Sequence, residues 1–498
     1  MQTEPNMKLP RIAAAALLVW LVAGCAASSV GSYQSTAVYD RVLRSVPLSD
    51  AIAFQGPERN PVVLIHGLLG SRLVDSADGR ILWGRFSAEL PPEEELVRLA
   101  HPMGRGKTLA ELTDSVRPAA ILDVADVRLA GVGFRLPGYR EAIRQLAGAG
   151  FDEIGRDGVP ASLYIFCYDW RRDIVENAIR LDRFLRELRG KLRAEYEQCY
   201  GLKNYDVQFD LVAHSMGGLI GRYYLMYGAQ DLPSDGSLPH LDWGGSRLVD
   251  KLLQIGTPND GYLDTFSELC SGLALTRGAP TWPAAVIATF PSYYQMLPGI
   301  SGGRVRYAGS GAEVEIFESG AWIRHRWGLA DPAGDRFWKA MLPGVGTESG
   351  RRAVALDHLE KCLARARQLR RALAVPADPP GDVMLFLFAG DAVETAFELE
   401  VDPGSGEAVR TRYSAGDGKV LTSSARFDRV SENPELPFSQ SPVRWQGVYH
   451  VRAAHMGLPD SVDFQHNFRY ALLMQTTPEQ RRRFEINRQE NYGSDLHQ

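Results

Sequence analysis

Six short apolar runs punctuate the chain, at 61–65, 161–166, 207–213, 252–255, 383–388 and 448–453. None alternates strictly between apolar and polar positions, the pattern of strands buried on both faces. Five end directly in sequences rich in Gly, His, Ser or Asp: His66-Gly67, Tyr168-Asp169-Trp170-Arg171, His214-Ser215, Gly256-Thr257-Pro258 and Gly390-Asp391; the sixth ends just before His455. Helical periodicity fills several of the gaps. Ile143 and Leu146 share a face over 139–146, and Ile179, Leu185, Leu188 and Leu192 recur at helical spacing over 174–196 among Arg and Glu. The stretch 219–226 is apolar nearly all round, which predicts a helix buried behind a sheet. Strand and helix in alternation predict an α/β fold, a mostly parallel sheet with helices on both faces.

Two stretches interrupt this rhythm. Residues 71–137 are rich in charge, Pro and Gly. Residues 262–380 hold Trp282, Trp322, Trp327, Trp338 and a basic helix around 365–371. Both read as insertions over the C-terminal strand edge, where open α/β sheets bind ligands. The basic helix reads as a solvated face.

One further apolar run is of another kind. Residues 12–23 are unbroken, follow Lys8 and Arg11, and are shorter than the ~20 residues of a spanning helix. A basic start, a short apolar core and small residues have the form of a signal peptide. The run closes in Leu21-Val22-Ala23-Gly24-Cys25, which resembles the lipobox of bacterial lipoproteins. That resemblance implies cleavage before Cys25, acylation of its thiol and anchoring in the bilayer. Ala26 in the next place implies the periplasmic face of the outer membrane.

With 45% hydrophobic and 23% charged residues, wholesale disorder is excluded. Length alone, 498 residues at ~150 per domain, suggests about three domains; the insertions make one elaborated domain sufficient. A net charge of −5 without a dense Lys/Arg tract gives no pull toward nucleic acid. Beyond Cys25, the four cysteines Cys167, Cys199, Cys270 and Cys362 allow three disulfide pairings or four thiols, and they lack metal-ligand spacing.

The strongest chemical signal is Val212-Ala213-His214-Ser215-Met216-Gly217-Gly218, after a strand and opening a helix. This is the context of a nucleophile elbow, a strained turn that lifts a serine hydroxyl clear of an α/β-hydrolase sheet. Small residues two before and two after the serine allow close backbone approach; Ala213 stands where Gly is usual. A serine needs a base and the base an orienting acid, in the chain order Ser, Asp or Glu, His. His455, after the last strand, is the expected base, with His450 and His466 as rivals. His66 is expected to fix its loop, and His214, next to the serine in sequence, to point away into a structural hydrogen bond. Two residues compete as the acid. Asp391 ends the fifth strand. Asp417 follows two runs, 397–401 and 409–413, that flank Asp402-Pro403-Gly404-Ser405-Gly406 and read as a β-hairpin. The residues alone leave this choice open. The oxyanion hole would use the N–H of Met216 and that of Leu68 or Leu69, in the loop after the first strand.

Taken together, 61–73, 168–171, the Ser215 elbow, 256–261, 292–298, 416–420 and His455 leading into the last helix resemble the lecithin:cholesterol acyltransferase and lysosomal phospholipase A2 family. The resemblance spans about 60–475, discontinuously. It implies an α/β-hydrolase core over 58–261 and 381–475. It makes 71–137, with Trp83, a lid and membrane-binding insertion, although this stretch has no Cys to close a lid loop, and 262–380 a cap. Residues 1–24 are then the signal peptide, 25–57 a tether and 476–498 a tail. It implies Asp417 as the acid, with Lys419 where the family carries Thr. Leu69 becomes the oxyanion donor, where simpler bacterial lipases would use Leu68. The implied activity is acyl transfer from a glycerophospholipid, through an acyl-enzyme, to water or to an alcohol such as a sterol, without metal or cofactor. A carboxylesterase, a neutral-lipid lipase and a non-catalytic lipid-binding lipoprotein are the alternatives.

Overall fold

The computed structural model describes residues 48–492 other than 88, 130–131, 156–157, 276–278 and 431–438. Cys25, the signal peptide and most of the 25–57 tether lie outside the described residues. The chain divides into two units, Met1–Ala51 and Ile52–Gln498, and the architecture below belongs to the second.

The six apolar runs all enter one sheet. Its strands are β1 (Val62–Ile65), β2 (Leu163–Phe166), β3 (Phe209–His214), β4 (Val249–Ile255) and β5 (Met384–Gly390). After a hairpin of β6 (Val393–Val401) and β7 (Ala408–Gly416) comes β8 (Gly447–Val451). The order is β8–β5–β4–β3–β1–β2, and every neighbouring pair is parallel. All residues of β1, β3, β4 and β5 are buried. That is why these segments carry no alternation.

Helices cover both faces. On one lie α1 (Arg140–Gly148) and, near the C-terminus, α6 (Val462–Arg469), which bring Leu146, Phe464 and Phe468 against Leu64, Val212 and Phe388. On the other lie α2 (Ile174–Tyr200) and α3 (Met216–Tyr227). Asp173 caps α2 by accepting the N–H groups of Val175 and Glu176, and Gly201 ends it at φ 73°. Leu181, Leu185, Leu188 and Leu192 form its buried stripe, each contributing roughly 1.5–3 kcal/mol. All of α3 is buried.

The insertions depart from the sequence reading. Residues 71–137 build two three-stranded sheets, Ser71–Asp75 with Ile81–Trp83 and Val116–Ile121, and Phe86–Ser87 with Val124–Leu129 and Val132–Pro137. Trp83, read as part of a membrane-binding lid, is 1% exposed and packs on Phe86, Trp170 and Trp282. The 262–380 segment does not stand off as a cap. Its Phe266, Trp322, Trp327 and Trp338 share one core with α2 and α3, because this much apolar surface has to be buried somewhere. Between β4 and β5 it supplies α4 (Leu263–Ser271) and the 26-residue α5 (Glu348–Leu373). The C-terminal pole of α5 is met by α3: Tyr227 Oη donates to Ala372 O (2.8 Å) and the buried Arg222 to Leu373 O (2.7 Å). The negative end of the helix thus faces a guanidinium that burial pushes down to about 9. The basic residues of α5 hold loops: Arg365 bonds Asp173 and Asp231, Arg370 bonds Pro298 O, and Arg371 bonds Gly236 O.

The expected tail forms a helix, Pro478–Tyr492, whose Arg483 pairs with the buried Asp250. Cys167, Cys199, Cys270 and Cys362 are free thiols. Among the described residues no helix is long and apolar enough to cross a membrane.

Candidate active site

Ser215 sits between β3 and α3 at φ 53°, ψ −127°. A side-chain-bearing residue is rarely found there and is held only by its surroundings. Its N–H donates to Ile255 O at the end of β4 (2.8 Å). Three glycines make the turn possible. A Cβ on Gly67 would lie 2.7 Å from Ser215 Cβ, one on Gly217 2.5 Å from His66 O, and one on Gly218 2.0 Å from Thr257 Oγ1. Ala213, fully buried in β3, occupies the place where Gly is usual.

His455 opens the turn after β8. Its Nδ1 lies 2.7 Å from Asp417 Oδ2, and its N–H donates to Asp417 O (2.8 Å). Asp417 is 1% exposed, and its Oδ1 accepts the N–H groups of Lys419 (3.0 Å) and Val420 (2.7 Å). Burial alone would push this carboxyl up. The His455 ring and the two backbone donors outweigh it and hold Asp417 below the ordinary carboxylate value. Asp417 is therefore ionised wherever His455 can act as a base, and Nδ1 of His455 carries the proton, leaving Nε2 as acceptor. Space for the pair comes from glycine. A Cβ on Gly390 would meet Asp417 Cβ at 2.4 Å, and one on Gly256 (φ 57°) would meet Asp417 Oδ2 and His455 Cε1, each at 3.2 Å.

The rival residues lie elsewhere. Asp391 faces His450 across 3.5 Å at the surface, both side chains about a third or more exposed. His466 is exposed on α6.

His66 and His214 are both buried. His66 stacks on Tyr168 with ring centres 4.1 Å apart, donates from Nδ1 to Gly67 O (2.8 Å) and accepts Tyr168 N–H at Nε2 (3.3 Å). Burial pushes it down to about 4, so it is neutral. His214, pushed down to about 3 by burial and then by His455, belongs to a relay. Gly67 N–H donates to Tyr139 Oη (2.5 Å), Tyr139 O–H donates to His214 Nδ1 (2.9 Å), and His214 Nε2–H points to His455 O (3.3 Å). The relay joins the loop after β1 to the backbone of His455. Sequence reasoning gave Tyr139 no part in the site. It precedes a helix at 140–148 in no motif, and only the fold brings it to Gly67.

In that loop Leu69 takes φ 63°, and Trp83 Nε1 donates to its carbonyl (3.0 Å). Among the described residues no backbone carbonyl receives the N–H of Leu68 or Leu69. The Tyr-Asp-Trp-Arg element braces the same loop: Tyr168 Oη donates to His66 O (2.6 Å) and Trp170 Nε1 to Ser71 O (3.1 Å). Arg171, fully buried, bonds Asp169 (2.7 Å), Asp114 (3.0 Å) and Leu99 O (2.7 Å). It thereby ties the 71–137 insertion to the end of β2. Breaking such a pair by removing one partner loses about 3–5 kcal/mol, since the other charge stays buried. Among the described residues no group of three or more His, Cys, Asp or Glu is placed to hold a metal ion.

Fold and site define an α/β-hydrolase of the serine ester hydrolase and acyltransferase class. Residues 143–317 match the model of the lecithin:cholesterol acyltransferase family; this covers β2 to β4, the elbow and part of the second insertion. No curated protein matches the chain. Among solved structures the chain is similar to the Tle4–Tli4 complex, at 14% identity over 84% of this chain and 98% of that one, with a TM-score of 0.48. It is also similar to the phospholipase PlaB from Legionella pneumophila (10%, 86% and 64%, TM-score 0.33) and to lipase 1 from Pelosinus fermentans (15%, 84% and 99%, TM-score 0.30).

Proposed function

We propose that the protein cleaves acyl esters of glycerophospholipids through an acyl-Ser215 intermediate and passes the acyl group to water or to an alcohol. Two observations carry this reading: the Asp417–His455 pair at 2.7 Å, and a serine held in a strained elbow at the end of β3. His455 Nε2 takes the Ser215 proton as Oγ attacks the ester carbonyl. The N–H groups of Met216 and of Leu69, or Leu68 in its place, receive the oxyanion. The intermediate collapses, the C–O bond of the alcohol breaks, and His455 returns the proton to the departing oxygen. Water or a second alcohol then repeats these steps in reverse roles. No cofactor enters this scheme. The lipid substrate is inferred from the family match over 143–317.

The test is to incubate the full-length protein with vesicles of phosphatidylcholine, phosphatidylethanolamine and a sterol, and to identify products by mass spectrometry, with Ser215→Ala as control. Lysophospholipid with free fatty acid, or with steryl ester, is expected. Untouched phospholipid alongside hydrolysis of triacylglycerol or short esters would replace this reading with a neutral-lipid lipase or a carboxylesterase. No turnover of any ester would leave a lipid-binding lipoprotein.

We infer also that acylated Cys25 holds the enzyme on the periplasmic face of the outer membrane, beside its substrate. Each acyl CH₂ buried contributes about 0.8 kcal/mol, so two or more chains anchor stably. Expressed in a Gram-negative host, the protein is expected in the outer-membrane fraction and Cys25→Ser in the soluble periplasmic fraction. An unchanged membrane fraction for Cys25→Ser would remove the anchor.

A further inference from the structure

The turn that carries Asp417 returns from the β6–β7 hairpin, and it does not end at the site. Lys419 gives its backbone N–H to Asp417 Oδ1 (3.0 Å) and sends its side chain the other way, to α4. There the ammonium lies 2.7 Å from Asp264 Oδ2 and 3.6 Å from Glu268 Oε1. The two carboxylates are one helical turn apart, 12% and 13% exposed. Arg410, on β7, bonds the other oxygen of Asp264 (2.7 Å). One cation of the hairpin and one of the turn after it thus meet two carboxylates of the inserted helix. Asp264, in the first turn of α4, also faces the positive pole of that helix.

We propose that Lys419 is a positioning residue: its ammonium, clamped between Asp264 and Glu268, anchors the turn that aims Asp417 Oδ2 at His455 Nδ1. The inference rests on the proposed triad and deepens it. A Thr at this place would supply the same backbone N–H but could not reach α4. Burial, opposed by the Lys419 ammonium and aided by Asp264, leaves Glu268 pushed up to about 7; Tyr262 and Tyr293 stand beside it as neutral phenols. Losing the ammonium must therefore raise the Glu268 midpoint.

The experiment compares full-length wild type, Lys419→Met, Lys419→Arg and Ser215→Ala on a soluble ester. It also records the low-field His455 ring-proton signal and the Glu268 carboxyl titration by NMR. Lys419→Met is expected to lower kcat about 10-fold, part of the ~100-fold that a 1 Å misplacement can cause, with KM within about twofold. The His455 proton signal should shift, the Glu268 midpoint should rise, and Lys419→Arg should restore most of kcat. If Lys419→Met does not fold, Glu268→Gln reads the same clamp through kcat and the ring-proton signal. Wild-type kcat and an unmoved ring proton, with Ser215→Ala inactive, would overturn the positioning role. Full activity in Ser215→Ala would instead overturn the triad beneath it.

Discussion

Ser215→Ala should lower ester hydrolysis by about 10⁴–10⁶-fold while leaving the melting temperature close to wild type. Loss of the hydroxyl removes the only nucleophile that the proposed mechanism uses. His455 and the backbone donors remain, but they act as a unit with the serine and give little without it. Folding should be spared because Ala keeps the Cβ. The left-handed turn, with its contacts from Gly67 and Ile255, stays as it was. Ser215 makes its stabilising backbone bond through N–H, which the substitution does not touch. The measurement is kcat/KM on a soluble ester together with labelling by a serine-reactive phosphonate. Wild type should be labelled in proportion to lost activity and the variant not at all. Retained hydrolysis in Ser215→Ala would place the chemistry on another residue.

The sheet was legible because its four central strands are buried on both faces, which leaves a continuous apolar signature whatever their order. Their edges were legible only where hydropathy and burial agree. The run at 252–255 is the apolar half of β4, which starts at Val249. Asp250 and Lys251 are buried inside it, paired with Arg483 and Asp210 and served by Asn60. Charge satisfied within the fold reads from sequence as exposure. Trp83 erred in the opposite direction. The family resemblance implied a place in a membrane-binding lid, whereas its ring closes the core over Trp170 and its N–H bonds the carbonyl of Leu69. The elbow could be read because a strained turn demands small residues at fixed spacing. Tyr139 could not, because a hydrogen-bond relay places no such demand on neighbouring positions.

The choice of acid depends on one long-range fact, that β6 and β7 pair and bring Asp417 back to the end of β5. Asp417→Asn tests it, and about a 10⁴-fold loss of kcat is expected. The size follows from the hydrogen bonds. The N–H groups of Lys419 and Val420 both point at Oδ1, so the carboxamide that replaces the carboxylate must keep its oxygen there. Its NH₂ then faces His455 Nδ1, which can only accept. The imidazole proton is forced onto Nε2, the atom that has to take the proton of Ser215. The variant should fold and bind substrate, since its geometry is kept, yet lack a base. Asp391→Asn, by contrast, loses a surface contact with a partly exposed His450. Contacts of this kind contribute about 0–1 kcal/mol and no catalysis, so kcat should stay within about twofold. A larger loss at Asp391 than at Asp417 would mean that in solution the fifth strand, and not the hairpin, presents the acid to His455.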